Sequence, residues 1–239
     1  MATPDSTHDA AIDLLLSFDD GPHPAYTAKL LDLLALHKVH AVFFVLGKKL
    51  RQRDGQALLL RMVREGHFVG NHTFTHPDMT KLTERQIKDE LNRTADLIGD
   101  ADRGVKLFRP PYGAHNSLVD QVVADLGYRT LFWTTDSRDW VPSFRANEWV
   151  EEVVSQIQAR RQSVILAHDT CPSTVSKIED LLNSTAKRPH VRLSLSSSLI
   201  EQHLTSTPAL WGVGPSRLLT TRCKVQNLYH AVMSLSWTT

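Results

Sequence analysis

From Ile12 to Leu204 the hydrophobic positions of this chain switch between two periods. Short apolar runs predict strands over residues 12–18, 41–46, 67–71, 105–108, 128–133, 163–166 and 191–195. The run at 41–46, Ala-Val-Phe-Phe-Val-Leu, has no polar position and reads as a strand buried on both faces. Between the strands, apolar residues at helical spacing predict helices over 26–37, 56–65, 84–98, 117–126, 148–160, 174–182 and 198–204. Several ends carry their own signals. Gly66 follows the second helix as a C-cap, Thr83 with Gln86 forms a capping box before the third, Gly127 follows the fourth, and Asn147 caps the fifth.

Strands and helices in alternation argue for an α/β fold on a parallel sheet, closed or open. About seven strands in a chain of 239 residues favour a barrel, built as a single domain over 12–204. Beyond Leu204 the pattern decays into Ser- and Thr-rich sequence broken by Pro208, Gly212, Gly214 and Pro215, so 205–239 reads as an unassigned extension.

Composition narrows the partners. Lys plus Arg number 27 against 26 for Asp plus Glu, which gives no nucleic-acid or anionic-membrane signal. No apolar run reaches the length of a membrane span, and the first residues lack the basic and apolar regions of a signal peptide. The expectation is a soluble monomer, intracellular or trimmed of an export signal. Cys171 and Cys223 are spaced as neither a disulfide framework nor a zinc site.

The chemistry gathers at one edge. Asp19 and Asp20, His72, Arg109, Asp136 with Asp139, and His168 all fall just past the carboxyl ends of predicted strands, where parallel α/β folds place active sites. Asp19 and Asp20 end an apolar run before Gly21-Pro22, and two adjacent carboxylates raise one another's pKa unless a cation holds them. His72 and His76 have the spacing of zinc-protease ligands, but the accompanying Glu is absent and Pro77 disfavours helix at His76. On a turn, the two imidazoles with Asp20 make a facial N, N, O set that leaves coordination positions open. Arg109, in Phe-Arg-Pro-Pro-Tyr-Gly, can keep a carboxylate ionised through forked hydrogen bonds. Asp139, beside Trp140, offers a partner that would raise the pKa of His168 and fix its tautomer. Each stretch alone also fits an ordinary turn, a surface histidine pair or an exposed arginine; their convergence is the signal.

In this order, Ser17-Phe18-Asp19-Asp20-Gly21-Pro22, His72-x-x-x-His76-Pro77, Arg109-x-Pro111-Tyr112, Asp136-x-x-Asp139-Trp140 and Leu166-x-His168 resemble the polysaccharide deacetylases of carbohydrate esterase family four, the NodB-homology domain. The resemblance runs to about residue 204 and does not cover the tail. It implies a distorted barrel of about seven parallel strands. It also implies Asp19 as general base, Asp20, His72 and His76 as metal ligands, and Arg109 as the group orienting Asp19. His168 would be the general acid, tuned by Asp139. The Tyr112 backbone N–H would help hold the oxyanion, and Trp140 and Leu166 would line the pocket for the acetyl methyl. Zinc is the first expectation for the ion, and the ligand set also suits cobalt, nickel or manganese.

The substrate implied is N-acetylglucosamine polysaccharide or oligosaccharide, such as chitin. Acetylated peptidoglycan and O-acetylated xylan are served by the same motifs. A catalytically idle carbohydrate-binding module would lose the base or a ligand, and a zinc peptidase would carry the missing Glu. Of the nearby aromatics, Trp140 and Tyr112 are candidates to stack on sugar rings, whereas Trp133 and Trp149 read as core. His23 and His115 read as loop residues outside the ligand set. Deacetylases of this family are usually exported, which the absence of a signal in this chain leaves open.

Overall fold

A computed structural model describes residues 12–141, 148–158, 160, 162–195, 200 and 204. At its centre lies β1 (Ile12–Asp19), with β7 (Gln162–His168) along the whole of one edge. Its other edge is shared by β2 (Val42–Val45) towards the carboxyl end and β8 (Val191–Leu193) towards the amino end. Beyond β2 follow β3 (Phe68–Asn71), β4 (Leu107–Phe108) and β5 (Arg129–Thr130), and beyond β7 lies β6 (Thr135–Asp136). Every pairing is parallel.

The end strands β5 and β6 prove that the sheet curls. Only residues 131–134 separate them in sequence, although they lie at opposite ends of the seven-strand path. Five peptide steps reach at most about 17 Å, while seven flat strands would span roughly 29 Å. Leu131 donates its N–H to the Phe108 carbonyl and Thr134 to that of Val164, so the short link ties one edge to the other. The result is a distorted (β/α) barrel.

Register sorts the side chains. Ser17 is level with Val42 and Leu166, and Asp19 with Phe44 and His168, so these positions share the barrel interior. That interior is narrow: a Cβ on Gly70 would stand 2.6 Å from the Phe44 ring, which makes glycine the residue that fits. The alternate positions, Leu14, Leu16, Phe18, Phe43, Val45, Val69, Ile165 and Ala167, face outward into one buried cluster. Helices α1 (Tyr26–Leu36), α3 (Gly55–Arg64), α6 (Glu148–Gln158) and α7 (Pro172–Ala186) cover it with Leu30, Met62, Trp149 and Ile178 among others. Each such side chain, fully buried, contributes about 1.5–3 kcal/mol. Helices α4 (Glu84–Ile98) and α5 (Ser117–Asp125) close a second cluster around Leu91, Phe108, Val119 and Tyr128.

The helix signals correspond to structure. Thr83 and Gln86 make both bonds of the capping box, and Gly66 and Gly127 adopt left-handed φ of 88° and 79°. The expected strand over 128–133 contracts to two residues, because Leu131 to Thr134 cross between the sheet edges. The strand over 163–166 and the helix over 174–182 both extend further, to β7 and α7. Sequence periodicity missed the one-turn α2 (Gly47–Leu50) and the two-residue β6. The chain divides into a unit over Met1–Leu195 and a second over Ser196–Thr239. Of the expected helix over 198–204 only Ile200 and Leu204 are described, both helical; its other residues, the cap at Asn147 and the extension over 205–239 lie outside the described residues.

Candidate active site

The loops leaving β1 and β3 bring Asp20, His72 and His76 together. One ligand atom from each lies within 4.8 Å of the others. Asp20 Oδ1 stands 3.6 Å from His72 Nε2 and 3.3 Å from His76 Nε2. That oxygen is buried and has no hydrogen-bond partner among the described residues. His72 Nδ1 lies 2.7 Å from the Arg109 carbonyl, which can only accept, so Nδ1 carries the proton and the Nε2 lone pair faces Asp20. Burial lowers the His72 pKa to about 3 and also lowers that of His76, against the pull of Asp20. Neutral imidazoles with free lone pairs around an unpartnered carboxylate oxygen fit a divalent cation.

Asp19, beside this set, is held by Arg109. Nη1 of the guanidinium donates to Asp19 Oδ1 at 2.8 Å and to Ser17 Oγ at 2.9 Å. Forked binding, expected from the sequence, does not occur: Nε is spent on the Leu131 carbonyl at 2.8 Å and Nη2 on that of Phe132. The guanidinium lies 4.2 Å over the Phe44 ring and is fully buried. Burial pushes the Asp19 carboxyl above the ordinary carboxylate range, with Arg109 pulling it back.

Across the opening, His168 ends β7 and Asp139 lies on the loop after β6. His168 Nδ1 is 2.8 Å from Asp139 Oδ1, and the His168 N–H donates to Oδ2 at 2.7 Å. Thr174 Oγ1 donates to the same Oδ2. Burial would lower the His168 pKa, but the Asp139 bond and charge outweigh it and raise it to about 9.

The remaining expected residues lie around these groups. Tyr112 is 70% exposed, its ring packs on His76 at 4.6 Å, and its φ is 61°. No hydrogen bond joins its N–H to another described backbone group. Trp140 is 56% exposed, whereas Leu166 is buried on the inner face. Trp149 is core, as expected, and Trp133 is half-buried against Arg109. His23 stays in the loop before α1, as expected, its Nδ1 accepting the Tyr26 N–H. An open hollow of about 250 Å³ beside Asp20 and His76 is lined also by Leu46, Lys48, Lys49 and Thr170.

Five of the seven non-glycine residues with left-handed φ among the described residues are in these loops: Asp20, Thr73, His76, Tyr112 and Arg138. Each such conformation costs on the order of 1–3 kcal/mol and persists only where its surroundings enforce it. Glu90 of α4 does so for the histidine loop. It accepts from Phe74 N and Thr75 N at 2.8 Å each and from Thr75 Oγ1 at 2.7 Å. Asp169 does so for the Asp20 loop, packing on Gly21 and accepting from Thr27 Oγ1. Sequence reasoning missed Glu90, Thr174 and Asp169. A carboxylate at an inward position of an amphipathic helix was the one available sign, for Glu90.

A curled parallel barrel with a two-His, one-Asp cluster, an Asp–Arg pair and an Asp–His pair defines a class of hydrolases, and comparison identifies it. Residues 8–131 match the family model described as polysaccharide deacetylase, and this chain belongs to that family, carbohydrate esterase family four. It is 34% identical over 194 residues to the chitooligosaccharide deacetylase of Sinorhizobium fredii (strain NBRC 101917 / NGR234), covering 80% of this chain and 85% of that one. It is 31% identical over 196 residues to the peptidoglycan-N-acetylmuramic acid deacetylase PdaA of Bacillus subtilis (strain 168), covering 80% and 73%. Among solved structures, the family 4 carbohydrate esterase from Streptomyces lividans in complex with acetate superposes with a TM-score of 0.69 at 32% identity, covering 78% of this chain and 93% of that one.

Proposed function

We propose that this protein removes acetyl groups from N-acetylglucosamine units of chitin or chitin oligosaccharides by metal-dependent hydrolysis. The observation that carries the proposal is the cluster of Asp20, His72 and His76 donors beside both an Arg-held carboxylate and an Asp-held imidazole. A divalent ion held by those three residues, zinc first, supplies Lewis-acid polarisation of the acetyl carbonyl and acidifies water. Asp19 takes the proton of the attacking water, its raised pKa bringing a buried carboxylate closer to the range a general base needs. Arg109 fixes the orientation of that carboxylate. The Tyr112 N–H donates to the oxyanion as the carbonyl becomes tetrahedral. His168, protonated through Asp139, passes its proton to the departing amine. Base and acid thus have environments that set their protonation states apart. Leu166 supports the acetyl methyl, and the exposed rings of Trp140 and Tyr112 offer faces to the sugar.

Similarity to a deacetylase of peptidoglycan favours one second reading, in which acetylated peptidoglycan is the substrate. Initial rates of acetate release from chitin oligomers, peptidoglycan fragments and acetylated xylan separate the two. The proposal expects the highest kcat/KM on chitin oligomers; a higher value on peptidoglycan establishes the second reading, and one on xylan overturns both.

A further inference from the structure

A second group of ligating side chains converges among the described residues. A carboxylate oxygen of Asp139, a ring nitrogen of His168 and the Cys171 thiol all lie within 4.8 Å of one another. The Cys171 N–H donates to the His168 carbonyl at 3.2 Å, a turn that brings the thiol back beside the acid pair. Cysteine spacing alone gave no sign of this, because the group holds one cysteine, and Asp139 comes from a different stretch of chain.

We propose that Asp139, His168 and Cys171 form a second, inhibitory site for a thiolate-binding divalent cation such as zinc, whose occupation takes His168 out of proton transfer. The proposal rests on the acid role given to His168 above.

One oxygen, one nitrogen and one sulfur donor form a set that zinc accepts readily, with water as a fourth ligand. Tetrahedral zinc needs its donors about 3.3–3.8 Å apart, so a modest rotation of the partly exposed Cys171 side chain closes the site. The second oxygen of Asp139 stays occupied by the His168 N–H and Thr174, which leaves the carboxylate fixed while its first oxygen turns to the cation. Burial, and after it the charges of Asp139, Asp20 and Asp169, push the thiol up to about 12, so without a cation it stays protonated and unreactive. The same field favours a cation and, once one enters, a thiolate. Binding releases two protons to solvent, one from the thiol and one from the imidazolium. No electron transfer is involved. The neutral, cation-bound imidazole that remains keeps one N–H but is too weak an acid to give the departing amine its proton.

The test is a cobalt titration of metal-free protein, followed by absorption, beside a zinc titration of activity. The first cobalt equivalent should give ligand-field bands alone, from Asp20, His72 and His76. The second should add a thiolate-to-cobalt charge-transfer band that Cys171→Ser abolishes. Excess zinc should slow the wild type roughly 100-fold against its own one-equivalent rate, in the range of lost general-acid catalysis, and Cys171→Ser less than about twofold against its own. A charge-transfer band without the preceding step would support this site and count against the Asp20 cluster. No such band at any cobalt ratio, a band surviving in Cys171→Ser, or equal zinc inhibition in both proteins would overturn the proposal.

Discussion

A buried guanidinium costs several kcal/mol in desolvation unless its donors are met, and Arg109 meets them with Asp19, Ser17 and two carbonyls. Those contacts tie Asp19 to the link between β5 and β6, so this carboxylate and the barrel are ordered together. Asp19→Asn keeps size and most of that bonding but cannot take a proton. It should lower kcat at least about 100-fold while zinc content, read by elemental analysis, is unchanged. The pH profile follows from the two pairs. His168 is raised to about 9, so its acid form is present below that value and activity falls as pH rises through it; a nearby cation brings that limb to lower pH. Asp19, raised by burial, sets an acid limb above the ordinary carboxylate range, with activity lost as pH falls. In Asp139→Asn the alkaline limb should move to lower pH, and a limb that stays in place would separate Asp139 from the acid. Asp19, His168 and Arg109 were legible because charged residues at the ends of apolar strands are conspicuous. Thr174 and Asp169 were not, since only the fold shows that they turn towards those groups.

At the scale of elements, the site depends on helices that never touch the reacting atoms. Glu90 of α4 holds the backbone of the histidine loop through three bonds, keeping Thr73 and His76 in left-handed conformations. Glu90→Ala should therefore weaken zinc affinity by about 10–100-fold, the usual effect of losing such support, with the circular-dichroism spectrum of the fold retained. Unchanged affinity, read by competition with a chelating dye, would mean the loop holds itself. Strong amphipathic elements were read correctly, because a buried helix face or a continuous apolar strand is set by local sequence. Short elements were not. The stretch 128–133 looks like one strand, but the barrel needs Leu131 to Thr134 to cross from β5 to β6, and only the curled sheet reveals that demand.

For the whole barrel, curling is what converts five scattered strand ends, those of β1, β3, β4, β6 and β7, into one site. Asp19 and His168 sit level on adjacent strands, and closure brings Arg109 from the far side of β3 to meet them. The family and the site position were within reach of the sequence, because the five motifs stand together in the order of the family they resemble. The conformation of Arg109 was not, because its carbonyl partners exist only after closure. On the proposed reading, the Asp20, His72 and His76 cluster makes this barrel a metal-dependent deacetylase. Acetate release from chitin oligomers by chelator-treated protein, before and after one equivalent of zinc, tests it most directly. Release should fall near background without metal and be restored by zinc in the wild type and not in His72→Ala. Release that persists at full rate in protein shown to be metal-free would contradict it.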